Sequence, residues 1–313
     1  MKLRIVSALS LVCLSVILFT PCKKDDSTSN NNGTDNETES AAMTDESQVS
    51  NEMDGIALDA ATAIEYEPTF SGNNGVLDEI ICDATVTYNT TSDPMTITVA
   101  YNGTNTCNIG RTRTGTIVLA MAKNTEWKTA GSSFTITFND LKITKTATNK
   151  SITITGTHLV TNVSGGLLIH LPTEGPITHT VTSENMKVSF DNGTARSWNV
   201  AKQRVYTYDN GAVLTITGTH TDGNETGIAE WGTNRMGVAF KTSTITPVVI
   251  KQSCNFRVTG GSVKHSTEAF SAVATFGLNA NGEAIDCPGT GNYFYKLVWT
   301  GQNGGSLSLI LPY

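Results

Sequence analysis

The chain has 313 residues and a net charge of −7, and the excess acid sits at the front. Twelve acidic and four basic residues precede Pro68, against 16 acidic and 17 basic residues from there on. A near-neutral body carries no basic stripe for nucleic acid and no polybasic patch for an anionic membrane surface, so neither is an expected partner.

Met1-Lys2-Leu3-Arg4 gives a positive start, and Ile5 to Phe19 follows as a mostly apolar run. The run is short of the about twenty residues a membrane span needs and suits the apolar part of a secretory signal, read here as residues 1–21. Cys22 stands between this run and Lys23-Lys24-Asp25-Asp26, where a cysteine is expected to be lipidated and to become the first mature residue. Residues 22–43 are rich in Ser, Thr, Asn, Asp and Glu and have almost nothing apolar to bury, which predicts a disordered acidic tether spanning roughly 25 Å. Over 44–66, Val49, Met53, Ile56, Ala57 and Ala60 recur at helical steps, and Thr44 is placed to cap an amphipathic helix. That helix is expected to dock on the edge of the domain that follows.

From residue 67 to 313 the period is two. Phe134-Thr-Ile-Thr-Phe138, Ile152-Thr-Ile-Thr and Leu214-Thr-Ile-Thr alternate apolar with β-branched polar residues, as half-buried antiparallel strands do. Asp191-Asn192-Gly193 and Asp209-Asn210-Gly211 are hairpin signals, because Asn and Gly accept the positive φ that tight turns demand. The expected fold class is all-β: a large antiparallel meander, either a curved sheet or a β-sandwich, preceded by a short N-terminal helix. The segment Ile152 to His158 recurs as Leu214 to His220, which reads as duplicated strand chemistry.

Four cysteines remain beyond Cys13 and Cys22: Cys82, Cys107, Cys254 and Cys287. An even number in an exported domain points to disulfides, and of three pairings the local one is preferred, Cys82 with Cys107 and Cys254 with Cys287, each pair bracketing one hairpin. The absence of any Cys-x-x-Cys spacing argues against a structural zinc.

Phe19-Thr20-Pro21-Cys22 and the acidic start behind it resemble the signals of Bacteroidota outer-membrane lipoproteins, with Pro21 where a small residue is usual. Cys82-Asp-Ala-Thr-Val, Ile97-Thr-Val-Ala-Tyr, Cys107 and Arg111-x-Arg113-x-Gly115-Thr-Ile-Val resemble an uncharacterised family of such lipoproteins. So do Gly131-Ser-x-x-Thr-Ile-Thr-Phe, the two Ile-Thr-Gly-Thr segments and the late cysteine pair. The resemblance implies export, an anchor at Cys22 and an all-β body. It carries no activity.

Motifs for catalysis or for a cofactor are missing from the sequence: no nucleophile elbow, His-Glu-x-x-His, Walker loop or dinucleotide fingerprint. His158 and His220 would meet if their strands were neighbours, and with His170 or His179 would then make a metal site; strand-end histidines at the core rim are the alternative. Asp222-Gly-Asn-Glu partly matches a calcium loop. Trp198 and Trp231, among polar residues and glycine, with Tyr206 and Tyr208, are the candidates for stacking on sugars. The expectation is a non-enzymatic, lipid-anchored outer-membrane binding or adhesion module, surface-exposed, for a glycan or protein ligand. The alternative is a periplasm-facing structural or assembly lipoprotein holding a lipid or protein partner in a curved sheet.

Overall fold

A computed structural model describes residues 49, 52–72, 81–104, 110–289 and 291–313 of the chain, with the side chains of residues 184 and 185 set aside. The expected signal, Cys22, the tether and the Thr44 cap lie outside the described residues. Helix α1 (residues 52–66) and the short α2 (Pro68–Ser71) precede fifteen strands in one antiparallel sheet. The all-β class and the N-terminal helix are as the sequence implies, and the single sheet decides against a sandwich.

The first seven strands follow chain order: β1 (Ala84–Asn89), β2 (Met95–Asn102), β3 (Arg111–Met121), β4 (Ser132–Lys145), β5 (Ser151–Asn162), β6 (Ile177–Phe190) and β7 (Ala195–Tyr208). Each obeys the alternation in its sequence. In β2, Met95, Ile97, Val99 and Tyr101 are buried while the threonines between them face outward. The triplets at 191–193 and 209–211 close the hairpins joining β6 to β7 and β7 to β8 (Ala212–Gly218), with Asn210 at φ +50°.

One position in the sheet is shared. Residues 202–208 of β7 pair with β8, and residues 197–200 pair with β10 (Glu225–Thr233). On the far side, β11 (Ala239–Lys251) pairs with the same two strands in the same way. The chain therefore leaves the sheet after β8, forms a small excursion with β9 (His220–Asp222), and re-enters as β10. Gly218 is the exit: a Cβ there would lie 2.1 Å from the Gly227 carbonyl oxygen. The matching segment in β5 runs on unbroken, so the sequence repeat has two different structural fates. The sheet then continues in order through β12 (Arg257–Thr267), β13 (Phe270–Leu278), β14 (Phe294–Gly301) and β15 (Ser306–Pro312).

The core lies between α1 and one face of β2 to β7, here called the inner face. Met53, Ile56, Ala60 and Ile64 of the helix pack with Ile97, Ile117, Ile136, Ile154, Val188 and Trp198. No residue from 52 to 66 is exposed, and the helix packs against the face of β2 to β7 and not at an edge of the sheet. Its acids explain how a helix with four carboxylates can be buried. Glu52 pairs with Arg111 at 2.9 Å, Asp54 pairs with Arg204, and Asp59 accepts from Arg113 at 2.7 Å and Tyr101 at 3.0 Å. Glu65 accepts the backbone N–H groups of Leu168 and Ile169 at 2.9 and 3.0 Å, in the 3₁₀ turn Leu168–His170. Arg113 also reaches Asp83 through two bonds of 2.7 and 2.6 Å. Buried charges persist only when paired in this manner.

Cys254 and Cys287 form the expected disulfide, 33 residues apart and bracketing the β12–β13 hairpin. Cys82 is also disulfide-bonded; its expected partner Cys107 lies outside the described residues.

Candidate functional site: the inner face of the C-terminal strands

Beyond β10 the inner face continues without the helix. Glu230 of β10 stands opposite Thr242, Thr242 opposite His265, His265 opposite Ala272, Ala272 opposite Trp299, and Trp299 opposite Leu307. Residues directly opposite in antiparallel strands share a face, and Glu230 accepts from the buried Trp198 Nε1 at 2.9 Å, so the row is an inner one. A second inner row runs Val263, Ala274, Leu297 and Leu309, and Tyr295 with Leu311 begins a third. The outer rows are mixed: Ser262, Thr275, Lys296 and Ile310, then Lys264, Val273, Val298 and Ser308, then Ser266, Ser271, Thr300 and Ser306. These strands thus form a wing that is more apolar inside than outside.

Cover falls away along the wing. Phe240, His265, Phe270 and Ala272 are buried, Trp299 and Leu297 are half-buried, and Leu307 is 53% exposed. No residue of β14 or β15 is buried. Aromatic rings line the route outward: Phe240 and His265 stack at 5.5 Å, His265 and Phe270 meet at 5.9 Å, and Phe270 and Trp299 at 6.4 Å. At the other end of the strands Phe276, Tyr295 and Tyr313 pack within about 6 Å of one another.

Where the wing meets the helix-covered half lies a sealed polar cluster. Lys202 donates to Glu230, and both are buried. Burial works against the Lys202 charge, but Glu230 beside it prevails and holds the ammonium above its usual range. His158 packs between Phe138 at 5.2 Å and Trp198 at 5.7 Å; burial, helped by Arg204 and Lys202, pushes its pKa down to about 3. Burial likewise takes His179 to about 3 and His265 to about 4. These imidazoles are neutral packing groups at any physiological pH.

The residues nominated from sequence do not assemble as expected. Trp198 has no exposed surface and its indole N–H is used by Glu230, so it cannot stack on a sugar. Trp231, next to inward-facing Glu230, points to the outer face, where His220 stacks on it at 4.0 Å and 12°. Tyr206 packs against His179 at 5.2 Å and is half-buried, which leaves Tyr208, 47% exposed, as a lone surface ring. His158 and His220 lie on opposite faces and cannot share a metal: the repeat that suggested the pair breaks at Gly218, which sends His220 out on the excursion. His158 is not at the rim either, but in the core. His170 is taken by Glu174 at 3.1 Å, and no cluster of three or more metal-ligating residues occurs among the described residues. In the suspected calcium loop, Asp222 faces Lys241 at 2.7 Å and Glu225 accepts from Ser243 at 2.7 Å, so its carboxylates are already occupied.

What sequence reading missed was the strength of the inner rows. Tyr295, Leu297 and Trp299 alternate with Lys296, Val298 and Thr300, and Leu307, Leu309 and Leu311 alternate with Ser308 and Ile310. The period was visible; the missing fact was that, among the described residues, these positions are half-buried to exposed and none is buried. No protein-family profile matches the chain, and comparison with curated proteins and with solved structures finds no match.

Proposed function

We propose that the protein is a non-enzymatic, lipid-anchored component of the cell envelope that holds an elongated apolar ligand, the acyl chain of a lipid, against the inner face of its C-terminal wing. The observation that carries this is the inner row Ala272–Trp299–Leu307, which loses its cover toward β15, beside the row Ala274–Leu297–Leu309, half-buried throughout. The inner side of these strands is the more apolar one, the outer side carrying serine, threonine and lysine beside Val273, Val298 and Ile310, and the more apolar side is the one we assign to the ligand. The choice of binding over catalysis is supported by the placing of the acid–base groups: Lys202, Glu230 and His158 are sealed beneath the sheet and helix, out of reach of a substrate. The choice of an apolar ligand over a glycan is supported by the burial of Trp198 and the capping of Trp231 by His220.

Titration of the full chain with a fluorescent long-chain fatty acid tests this. Saturable binding is expected, and Leu297→Lys, which sets a charge in the middle of the inner face, is expected to weaken it at least tenfold; a wild-type protein that binds none, or a variant that binds as well, contradicts the proposal. The anchor is tested separately. Cys22→Ser is expected to release the protein from the membrane fraction, and full retention of that variant contradicts anchoring.

A further inference from the structure

Among the described residues β15 is the outermost strand on its side of the sheet, and its hydrogen-bond directions follow from two bonds. Gly301 N donates to Gly305 O at 2.9 Å and Tyr313 N donates to Tyr293 O at 2.8 Å. In an antiparallel pair, bonded and non-bonded residue pairs alternate. Residues 305, 307, 309, 311 and 313 therefore bond toward β14, and Ser306, Ser308, Ile310 and Pro312 direct their backbone groups away from the sheet. Exposed edges in native proteins are usually blunted by charge, proline or a bulge. Here β15 pairs with β14 through seven unbroken residue pairs, carries no charged side chain, and has one proline, at its last residue.

We propose that β15 is a pairing edge for a second copy of this chain, joined antiparallel about a two-fold axis at Leu309. The register is selected by what it matches. With Leu309 opposite Leu309 of the partner, the outward groups of Ser308 meet those of Ile310, and the Ser306 N–H meets the Pro312 carbonyl, which needs no donor from proline. On the inner face the row Trp299–Leu307 is continued by the partner's Leu311 and Tyr295, and Leu297–Leu309 by the partner's Leu309 and Leu297. Moving the axis to residue 308 would set Leu311 opposite Gly305, and moving it to 310 would shorten the pairing. Charge does not oppose the union: the nearest cation on β14, Lys296, faces outward across from Ile310, so the two copies' lysines are separated by both edge strands. Sequence identity at the axis makes the contact isologous and closed, so it ends at a dimer. One strand pair buries less than the about 800 Å² per partner of a tight complex, so the dimer is concentration-dependent. The inference stands on the edge alone and holds whether or not the wing takes a lipid.

Oxidative cross-linking of the purified full chain over a range of protein concentrations tests it. Leu309→Cys is expected to give a disulfide-linked dimer in a yield that rises with concentration, and Leu307→Cys, which faces the partner's Leu311, is expected to give at least fivefold less. Ser308→Pro leaves the bonds to β14 intact, since the N–H it removes points outward, and is expected to abolish the dimer formed by Leu309→Cys. Absence of the Leu309→Cys dimer, equal cross-linking at both positions, ladders of higher oligomers, or a dimer that survives Ser308→Pro would each overturn the proposal. Occupation of the edge by a strand of some other protein would show as the first of these.

Discussion

His158, His179 and Glu65 place opposite demands on the folded state as pH changes. The two histidines have folded pKa values of about 3, pushed down by burial from an ordinary 6.5, so the stability they permit is complete above 6.5 and is lost as pH falls through that value. Glu65, desolvated by burial, has its pKa raised from 4.5 to about 7 despite its two backbone bonds. The folded state holds that proton more tightly than the unfolded chain, so the Glu65 contribution is greatest at low pH and is lost as pH rises from 4.5 to 7. Between pH 4.5 and 6.5 each group is worth about 1.4 kcal/mol per pH unit, the imidazoles losing stability as pH falls and Glu65 gaining it. His158 and His179 therefore each weaken the fold as pH falls below 6.5. His158→Phe, which keeps an aromatic ring between Phe138 and Trp198, should remove one imidazole from that loss. Urea titrations at pH 8 and pH 5 should show the variant gaining about 2 kcal/mol on wild type between the two. An unchanged difference would mean that His158 is protonated in the folded protein.

Among the elements, α1 had the plainest sequence signature and the least foreseeable setting. Its apolar positions were legible because Met53, Ile56, Ala60 and Ile64 recur at helical spacing. Its acids Glu52, Asp54 and Asp59 meet arginines 54 to 150 residues away, a match no local pattern encodes. The buried charges Arg196, Lys202 and Arg204 of β7 carry no local signature of burial for the same reason. Hairpins were legible because turn chemistry is local, and the split of one strand position between β8 and β10 was not, because it depends on a contact between Gly218 and Gly227. The ion pairs give a clear contrast in energy. Arg113→Met removes the guanidinium that Asp83 and Asp59 share and should cost about 3–5 kcal/mol, whereas Lys128→Met breaks an exposed pair with Glu126 and an exposed bond to the Gly72 carbonyl and should cost less than about 1 kcal/mol. Equilibrium denaturation of both variants distinguishes them, and equal losses would mean that the Arg113 cluster is not buried.

The whole molecule is one sheet with two differently covered halves. Over β2 to β7 its inner face is filled by a helix of the same chain, and over β12 to β15 the same face runs on with no such helix among the described residues. The surface around Trp299 and Leu307 is where the proposed acyl chain would lie. The four tryptophans allow the point to be measured directly, because Trp127 and Trp198 are fully buried and Trp231 lies on the outer face under His220, which leaves Trp299 alone on the open inner face. The measurement is quenching of tryptophan emission in the full chain by a brominated fatty acid, beside the same titration of Trp299→Phe. Saturable quenching in the wild type that largely disappears in the variant is the expected result. Emission untouched by the fatty acid, or quenched equally with and without Trp299, would contradict a lipid-holding wing.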